Sequence, residues 1–183
     1  RSRWADFWNA YKAETPLAAD RSPAALRWRL ADPDLIAPPL MLVFNRGSRI
    51  TGFAMAMPGK DSIVAPPALE IIDLIALKDE ADAIPTLMQA LKAAAPQLGA
   101  AKLRLQVVSP ALLRRLGPWA GSARREGGWG HGHAAFAADA PSPADWAPTP
   151  FDGDYMVCLR QPPVATAPRA GRVPVPQGRA AKA

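Results

Sequence analysis

Between Leu69 and Leu77 the chain reads Leu-Glu-Ile-Ile-Asp-Leu-Ile-Ala-Leu, a run that leaves little polar surface on either side of an extended backbone. Successive side chains of a strand point to opposite faces. Here Ile71, Ile72, Leu74 and Ile75 fill both, so the segment predicts a central strand covered on each face. Its two acids, Glu70 and Asp73, stand three residues apart, which sends them to opposite faces of a regular strand. Only one of them can then face a cleft.

The flanking segments predict what surrounds that strand. Trp4, Phe7, Trp8 and Tyr11 recur at spacings of three and four, which places them on one face of a helix over Arg3 to Lys12. Ser22-Pro23 is an N-cap followed by proline at the first helical position, and it opens a second short helix that stops before Asp32-Pro33. Leu40 to Phe44 and Ile50 to Met57 are apolar runs joined by Asn45-Arg46-Gly47-Ser48, the pattern of a β-hairpin. After the central strand, Ile84, Leu87, Met88, Leu91 and Ala95 follow helical spacing within Asp82 to Leu98, with Pro96 distorting the last turn and Gly99 just beyond. Lys102 to Val108 alternates as a half-buried strand, Ser109-Pro110 starts a short helix through Leu116, and Gly117 to Gly130 is a loop. Strands are expected at His131 to Ala138 and at Tyr155 to Arg160.

With 49% hydrophobic and 21% charged residues in 183, the chain can bury one core of ordinary size. Residues 1–160 are the expected domain. The net charge of +6 points to nucleic acid until it is localised: Arg169, Arg172, Arg179 and Lys182 lie in an acid-free stretch, which leaves +2 for residues 1–160. Residues 161–183, rich in proline and alanine, are expected to be a disordered basic tail, which argues against nucleic acid as a partner. No apolar run is long enough to span a bilayer, and no signal peptide is evident. The single cysteine, Cys158, excludes an internal disulfide. A cytoplasmic location is the expectation. The absence of an initiator methionine before Arg1 implies a longer parent chain.

The order helix, helix, hairpin, central strand, helix, strand, short helix, strand, strand resembles the GNAT acyltransferase fold lacking its first strand. Leu26-Arg27-Trp28-Arg29 followed by Asp32-Pro33, Gly47 to Phe53 with its internal Gly-aromatic pair, and Trp146, Thr149 and Asp152-Gly153-Asp154 near the end are similar to motifs of a branch of bacterial GNAT-like proteins. The resemblance covers about residues 4–160. It implies an α/β (α+β) fold with a mixed, mostly antiparallel sheet and helices on both faces. It also implies acyl transfer from acetyl-CoA or another acyl-CoA to an amine, by this chain or by a protein of which it is the C-terminal half. The alternative is a non-catalytic module that packs on a catalytic domain or a partner.

In GNAT enzymes the pyrophosphate of the cofactor is held by backbone N–H groups of a glycine-containing loop at the start of the helix after the central strand. The matching segment here begins with Leu77 and Lys78, the expected cofactor contacts, and runs to Pro85. It has no glycine, carries Asp79, Glu80 and Asp82, and loses an amide at Pro85. These acids are expected to satisfy the helix-start donors themselves and to repel phosphate, so acyl-CoA binding is expected to be weak or absent. The resemblance implies a carboxylate base on the central strand, with Asp73 preferred over Glu70 for its depth in the apolar run. Burial there is expected to raise its pKa. An acid paired with a basic neighbour is the competing reading. Tyr155 is the candidate general acid, against a hydroxyl satisfied in the core. His131 and His133 lack a third ligand for zinc, and Asp152-Gly153-Asp154 reads as a turn, so no metal is expected. Trp4, Trp8 and Trp28 read as core; the alternative is that Trp4, Phe7 and Trp8 form the contact surface for an N-terminal GNAT-like half or another protein partner.

Overall fold

The computed structural model describes residues 2–33, 35, 38–59, 64, 66–124, 137–142 and 145–153. Two helices come first, α1 (Arg3–Glu14) and α2 (Pro23–Leu30), followed by the hairpin β1 (Leu40–Arg46) and β2 (Arg49–Gly59). Then come β3 (Ala68–Ala76), α3 (Ala83–Ala94), β4 (Lys102–Arg104), α4 (Pro110–Arg115) and α5 (Pro118–Ser122). Short 3-10 turns occupy Pro96–Leu98 and Pro150–Asp152. The four strands lie in sequence order in one sheet, antiparallel except for the parallel pair β3–β4.

Every residue of β3 is buried, as its composition requires, and each face of the sheet has its own cover. On one face Ala54, Ala56, Leu69, Ile71 and Leu74 pack against Ile84, Leu87, Met88 and Leu91 of α3 and Leu112 of α4. On the other, Phe53, Met55, Met57, Ile72 and Ile75 meet Phe7, Trp8 and Tyr11 of α1, with Leu26 and Phe151. The aromatic stripe of α1 is therefore core, and Trp4 caps it edge-on to Phe53 at 4.6 Å between ring centroids. Trp28, expected in the core, is instead 76% exposed, because Leu26, two residues earlier, takes the buried face of α2. Ala54 and Ala56 of β2 face α3, which lets that helix come close. A Cβ added at Gly52 would stand 3.1 Å from Phe44 Cβ and 3.2 Å from Ala83 Cβ.

The pairing of β2 with β3 jumps register between Met55 and Ala56: Met55 stands opposite Asp73, and Ala56 opposite Ile71. Ile72 is thus an extra residue, a β-bulge. It changes the parity of the strand. Glu70 pairs with Met57 and Asp73 with Met55, and both methionines belong to the α1-side core, so the two acids share one face. The expectation of opposite faces, derived for a regular strand, fails because of this inserted residue.

The bulge also marks where the sheet divides. Parallel pairing of β3 with β4 covers Ala68 to Glu70 against Lys102 to Arg104 and stops there, while β3 runs on to Ala76. The strand expected through Val108 is therefore three residues long, since its pairing with β3 ends at Glu70, before the bulge. The expected loop at Gly117 is likewise partly helical: Gly117 turns with φ 58° and Pro118 starts α5. The helix expected through Leu98 stops at Ala94, and the last turn, distorted at Pro96 as expected, is 3-10 over Pro96–Leu98 with Gly99 closing it at φ 71°. Apart from residues 137–138, which are not in a strand, the strands expected at 131–138 and 155–160 lie outside the described residues, as do Tyr155, both histidines and the stretch 161–183.

Candidate functional site

A charged strand interior needs a counter-ion, because an isolated carboxylate in an apolar core is prohibitively costly. Arg21, between the two N-terminal helices, supplies it. The residue is 1% exposed, and Asp73 is 0% exposed. The guanidinium takes Asp73 with both arms, Nε to Oδ2 at 2.7 Å and Nη2 to Oδ1 at 3.0 Å. Its remaining donors reach Asp152 Oδ1 at 3.0 Å, Asp152 Oδ2 at 3.1 Å, Thr149 Oγ1 at 3.0 Å and the carbonyl of Ala19 at 2.9 Å. Thr149 donates its hydroxyl to Asp73 Oδ1 at 2.8 Å. The backbone N–H groups of Ala19 and Thr149 donate to Asp152, both at 2.7 Å.

Three distant segments meet in this clasp: the turn before α2, the middle of β3 and the Thr149–Asp152 turn. Phe151 seals it. Its ring carries the Arg21 guanidinium at 4.6 Å and that of Arg29 at 4.1 Å, so a second cation offsets the excess carboxylate. Burial would loosen the proton of Arg21, but the adjoining Asp73 and Asp152 outweigh it and raise the pKa above the ordinary arginine value. Burial likewise pushes the Asp152 carboxyl up, and Arg21 with the Thr149 and Ala19 amides overrides this to hold it below the usual carboxylate range. Tyr11 borders the cluster, and burial, partly offset by Arg21, pushes its hydroxyl up to about 12.

Asp73, the preferred base, therefore points into a closed cluster with both oxygens bound. Glu70 lies on the same face, where β3 parts from β4. It pairs with Arg104 Nη1 at 3.1 Å and accepts from Gln106 Nε2 at 3.2 Å. Sequence reasoning missed Arg21, although the acid at the centre of an apolar strand was itself the signal that a cation had to arrive from elsewhere. Thr149 and Asp152 had been noticed as parts of a motif and of a turn.

The β3–α3 corner holds the two expected cofactor contacts, and the structure corrects the expected capping there. Asp82, the N-cap of α3, makes no capping hydrogen bond. Arg46 at the end of β1 draws the acids outward, reaching Glu80 Oε2 at 2.9 Å and Asp82 Oδ1 at 2.6 Å. Those bonds raise the pKa of Arg46. The backbone N–H of Lys78 is taken by Glu14 Oε2 at 2.8 Å, and Leu77 is buried. From α4, Arg115 donates to the carbonyls of Ala76, Leu77 and Glu80 at 2.6, 2.8 and 3.0 Å. Lys78, Arg46 and Arg115 face Asp79, Glu80, Asp82 and Glu14, which leaves the corner one formal negative charge, so closure adds to the repulsion that a phosphate would meet.

Among the described residues, no group of three or more His, Cys, Asp or Glu could hold a metal ion, and no helix is long and apolar enough to cross a membrane. No family model matches the chain, and no curated protein matches it significantly. Solved structures do. A ribosomal-protein-alanine N-acetyltransferase from Brucella melitensis biovar Abortus 2308 is similar at 14% identity and a TM-score of 0.50, over 73% of this chain and 91% of that one. An aminoglycoside acetyltransferase from an uncultured soil metagenomic sample, in complex with trehalose, is similar at 13% identity and a TM-score of 0.51, over 72% of this chain and 86% of that one. The fold is that of the GNAT-like acyl-CoA N-acyltransferases.

Proposed function

From this fold, we propose that the chain is a GNAT-type module of an N-acyl-transfer protein and that it does not by itself take up acetyl-CoA. The observation that supports this reading is the closed β3–α3 corner. An anion site at a helix start needs free N–H groups and room for the backbone to approach. Here Glu14 occupies the Lys78 amide, Arg115 is spent on three carbonyls, and no glycine opens the turn. The pyrophosphate of an acyl-CoA does not fit these residues as they stand. The carboxylates argue the same way, since Asp73 is clasped by Arg21 and Thr149 and has no free oxygen for an incoming amine.

The division of β3 from β4 favours a second reading, acyl transfer to an amine by this chain itself. In that case Glu70, at the mouth of the division, is the carboxylate in reach, and Arg104 must release it. Calorimetry separates the two. Acetyl-CoA titrated into the chain at moderate salt is expected to give no saturable heat at micromolar concentrations. One-to-one binding that is lost on Glu70→Gln, or that is accompanied by acetylation of an added amine, would overturn the first reading in favour of the second.

A further inference from the structure

Phe7 and Tyr11 of α1 belong to the core beneath the helix, and beside them Ala5, Trp8, Asn9 and Lys12, at spacings of three and four, share the next stripe of its surface. That stripe is one wall of a cleft of about 470 Å³, a volume in the range of small-molecule sites. The connection to α2 is the other wall, through Ala18, Asp20, Ser22 and Pro23. Arg21 turns inward to the clasp, so its neighbours Asp20 and Ser22 turn outward to the cleft. None of the lining residues belongs to β3, β4 or the β3–α3 corner.

Lys12 and Asp20 bring opposite charges to the two walls. Among the described residues they form no ion pair, with each other or with any other group. Asp20 is nevertheless fixed, its Oδ1 accepting from the Ser22 N–H at 2.7 Å and its Oδ2 from the Ser22 hydroxyl at 3.0 Å. That hydroxyl is in turn held as the N-cap of α2, accepting from the Ala25 N–H at 3.2 Å. A carboxylate offers about four lone-pair sites, so Ser22 leaves Asp20 able to accept from a donor in the cleft.

We propose that this cleft binds a small zwitterion of the α-amino-acid class, with its ammonium on Asp20, its carboxylate on Lys12 and an apolar side chain against Trp8 and Pro23. The separated charges select that class. A simple anion drawn to Lys12 is repelled by Asp20, a simple cation drawn to Asp20 is repelled by Lys12, and an uncharged molecule engages neither. A ligand that carries both charges satisfies both walls. Lys12 and Asp20 are exposed, so water and salt screen each contact, and the affinity is expected at about the millimolar level. The site stands whether or not the β3–α3 corner takes up acetyl-CoA.

Nitrogen–proton NMR of the full chain tests this with L-leucine, at about pH 6.5, where its amine and that of its amide are protonated. Leucine is expected to shift the Asn9 side-chain amide and the Ser22 N–H, saturating at about millimolar concentration. N-acetyl-L-leucine, which lacks the ammonium, and L-leucinamide, which lacks the carboxylate, are each expected to bind about three- to tenfold more weakly. Asp20→Asn keeps an acceptor for Ser22 and is expected to weaken leucine by a similar factor while leaving N-acetyl-L-leucine unchanged. Lys12→Met is expected to weaken leucine and leave L-leucinamide unchanged, whereas Lys12→Arg should retain binding. A loss of folding would not produce that crossed pattern. Leucine shifts that do not saturate by about 50 mM, or that fall away from the residues lining the cleft, overturn the proposal. Equal affinities for the three ligands, or variants that lower all three alike, overturn it too.

Discussion

Replacing Arg21 with methionine keeps the volume of the side chain and removes its charge, leaving Asp73 and Asp152 in the interior without the guanidinium between them. Six hydrogen bonds leave with it. Removing one partner of a buried pair costs about 3–5 kcal/mol, because the stranded charge keeps its desolvation penalty. For a domain of this size each kcal/mol is about 2–4 °C, so Tm is expected to fall by roughly 6–20 °C at neutral pH. The pH dependence carries the sharper signature. In the wild-type chain the folded pKa of Asp152 lies below its unfolded value, so the unfolded state binds protons first as pH falls. Its contribution is complete above the ordinary carboxylate range and is lost as pH drops through the folded pKa. In the variant only the Thr149 and Ala19 amides remain to oppose burial, so the folded pKa of Asp152 rises towards the unfolded one. The variant then loses less stability than the wild type as pH falls through the carboxylate range, so the stability gap should narrow between about pH 7 and pH 3. Urea unfolding followed by circular dichroism at the two pH values measures it. A loss under about 1 kcal/mol at pH 7, or a gap that is constant with pH, would refute the assignment of this cluster as a buried ionic clasp.

Other expectations follow from packing and hydrogen bonding. Leu74→Ala, at a position 2% exposed between β2 and α3, is expected to cost about 2–5 kcal/mol in chemical denaturation. Gly52→Ala forces a methyl group into the contact between Phe44 and Ala83 and should cost about 1–3 kcal/mol by the same measurement. Thr149→Val removes the hydroxyl shared by Asp73 and Arg21 while keeping its shape, with an expected loss of about 1–3 kcal/mol. Arg115→Met strips three carbonyls of a donor, and hydrogen exchange at the Ala76–Glu80 turn is expected to accelerate while exchange in β2 does not.

What the sequence made legible was whatever local pattern determines. The helical spacing of Trp4, Phe7, Trp8 and Tyr11, the proline after Ser22, the turn at Gly47 and the apolar density of Leu69 to Leu77 each led to the observed element, because each records which face is buried. The face shared by Glu70 and Asp73 was not legible. Alternation along a strand gives the wrong parity once Ile72 is inserted, and that bulge is a property of pairing with Met55 and Ala56 rather than of β3 alone. The shortness of β4 was hidden for the same reason, since its alternating residues suit a strand that its neighbour then abandons. At the candidate site, an acid paired with a basic neighbour was one of the two readings of Asp73, but the partners themselves were not legible, because they come from residues 21 and 149 and no local rule joins them. The acids of the β3–α3 corner were legible, whereas Glu14, which takes the Lys78 amide, and Arg46 and Arg115, which hold the acids and close the turn, come from other elements.

The clasp has a consequence for the order in which the chain can fold. Arg21 and Asp73 are present early in synthesis, but Thr149 and Asp152, which complete the coordination of the guanidinium, are separated from Arg21 by 128 and 131 positions. A contact between sites so far apart in the chain closes late, since the loop-closure entropy must be met before it returns anything. At ordinary ribosomal rates the last of these residues emerges on the order of ten seconds after the first. Until then the α1-side core lacks Phe151 and holds an incompletely coordinated ion pair, which favours keeping that half hydrated and loosely packed. The Thr149–Asp152 turn thereby acts as a completion signal, the segment whose arrival commits the first two helices to the sheet.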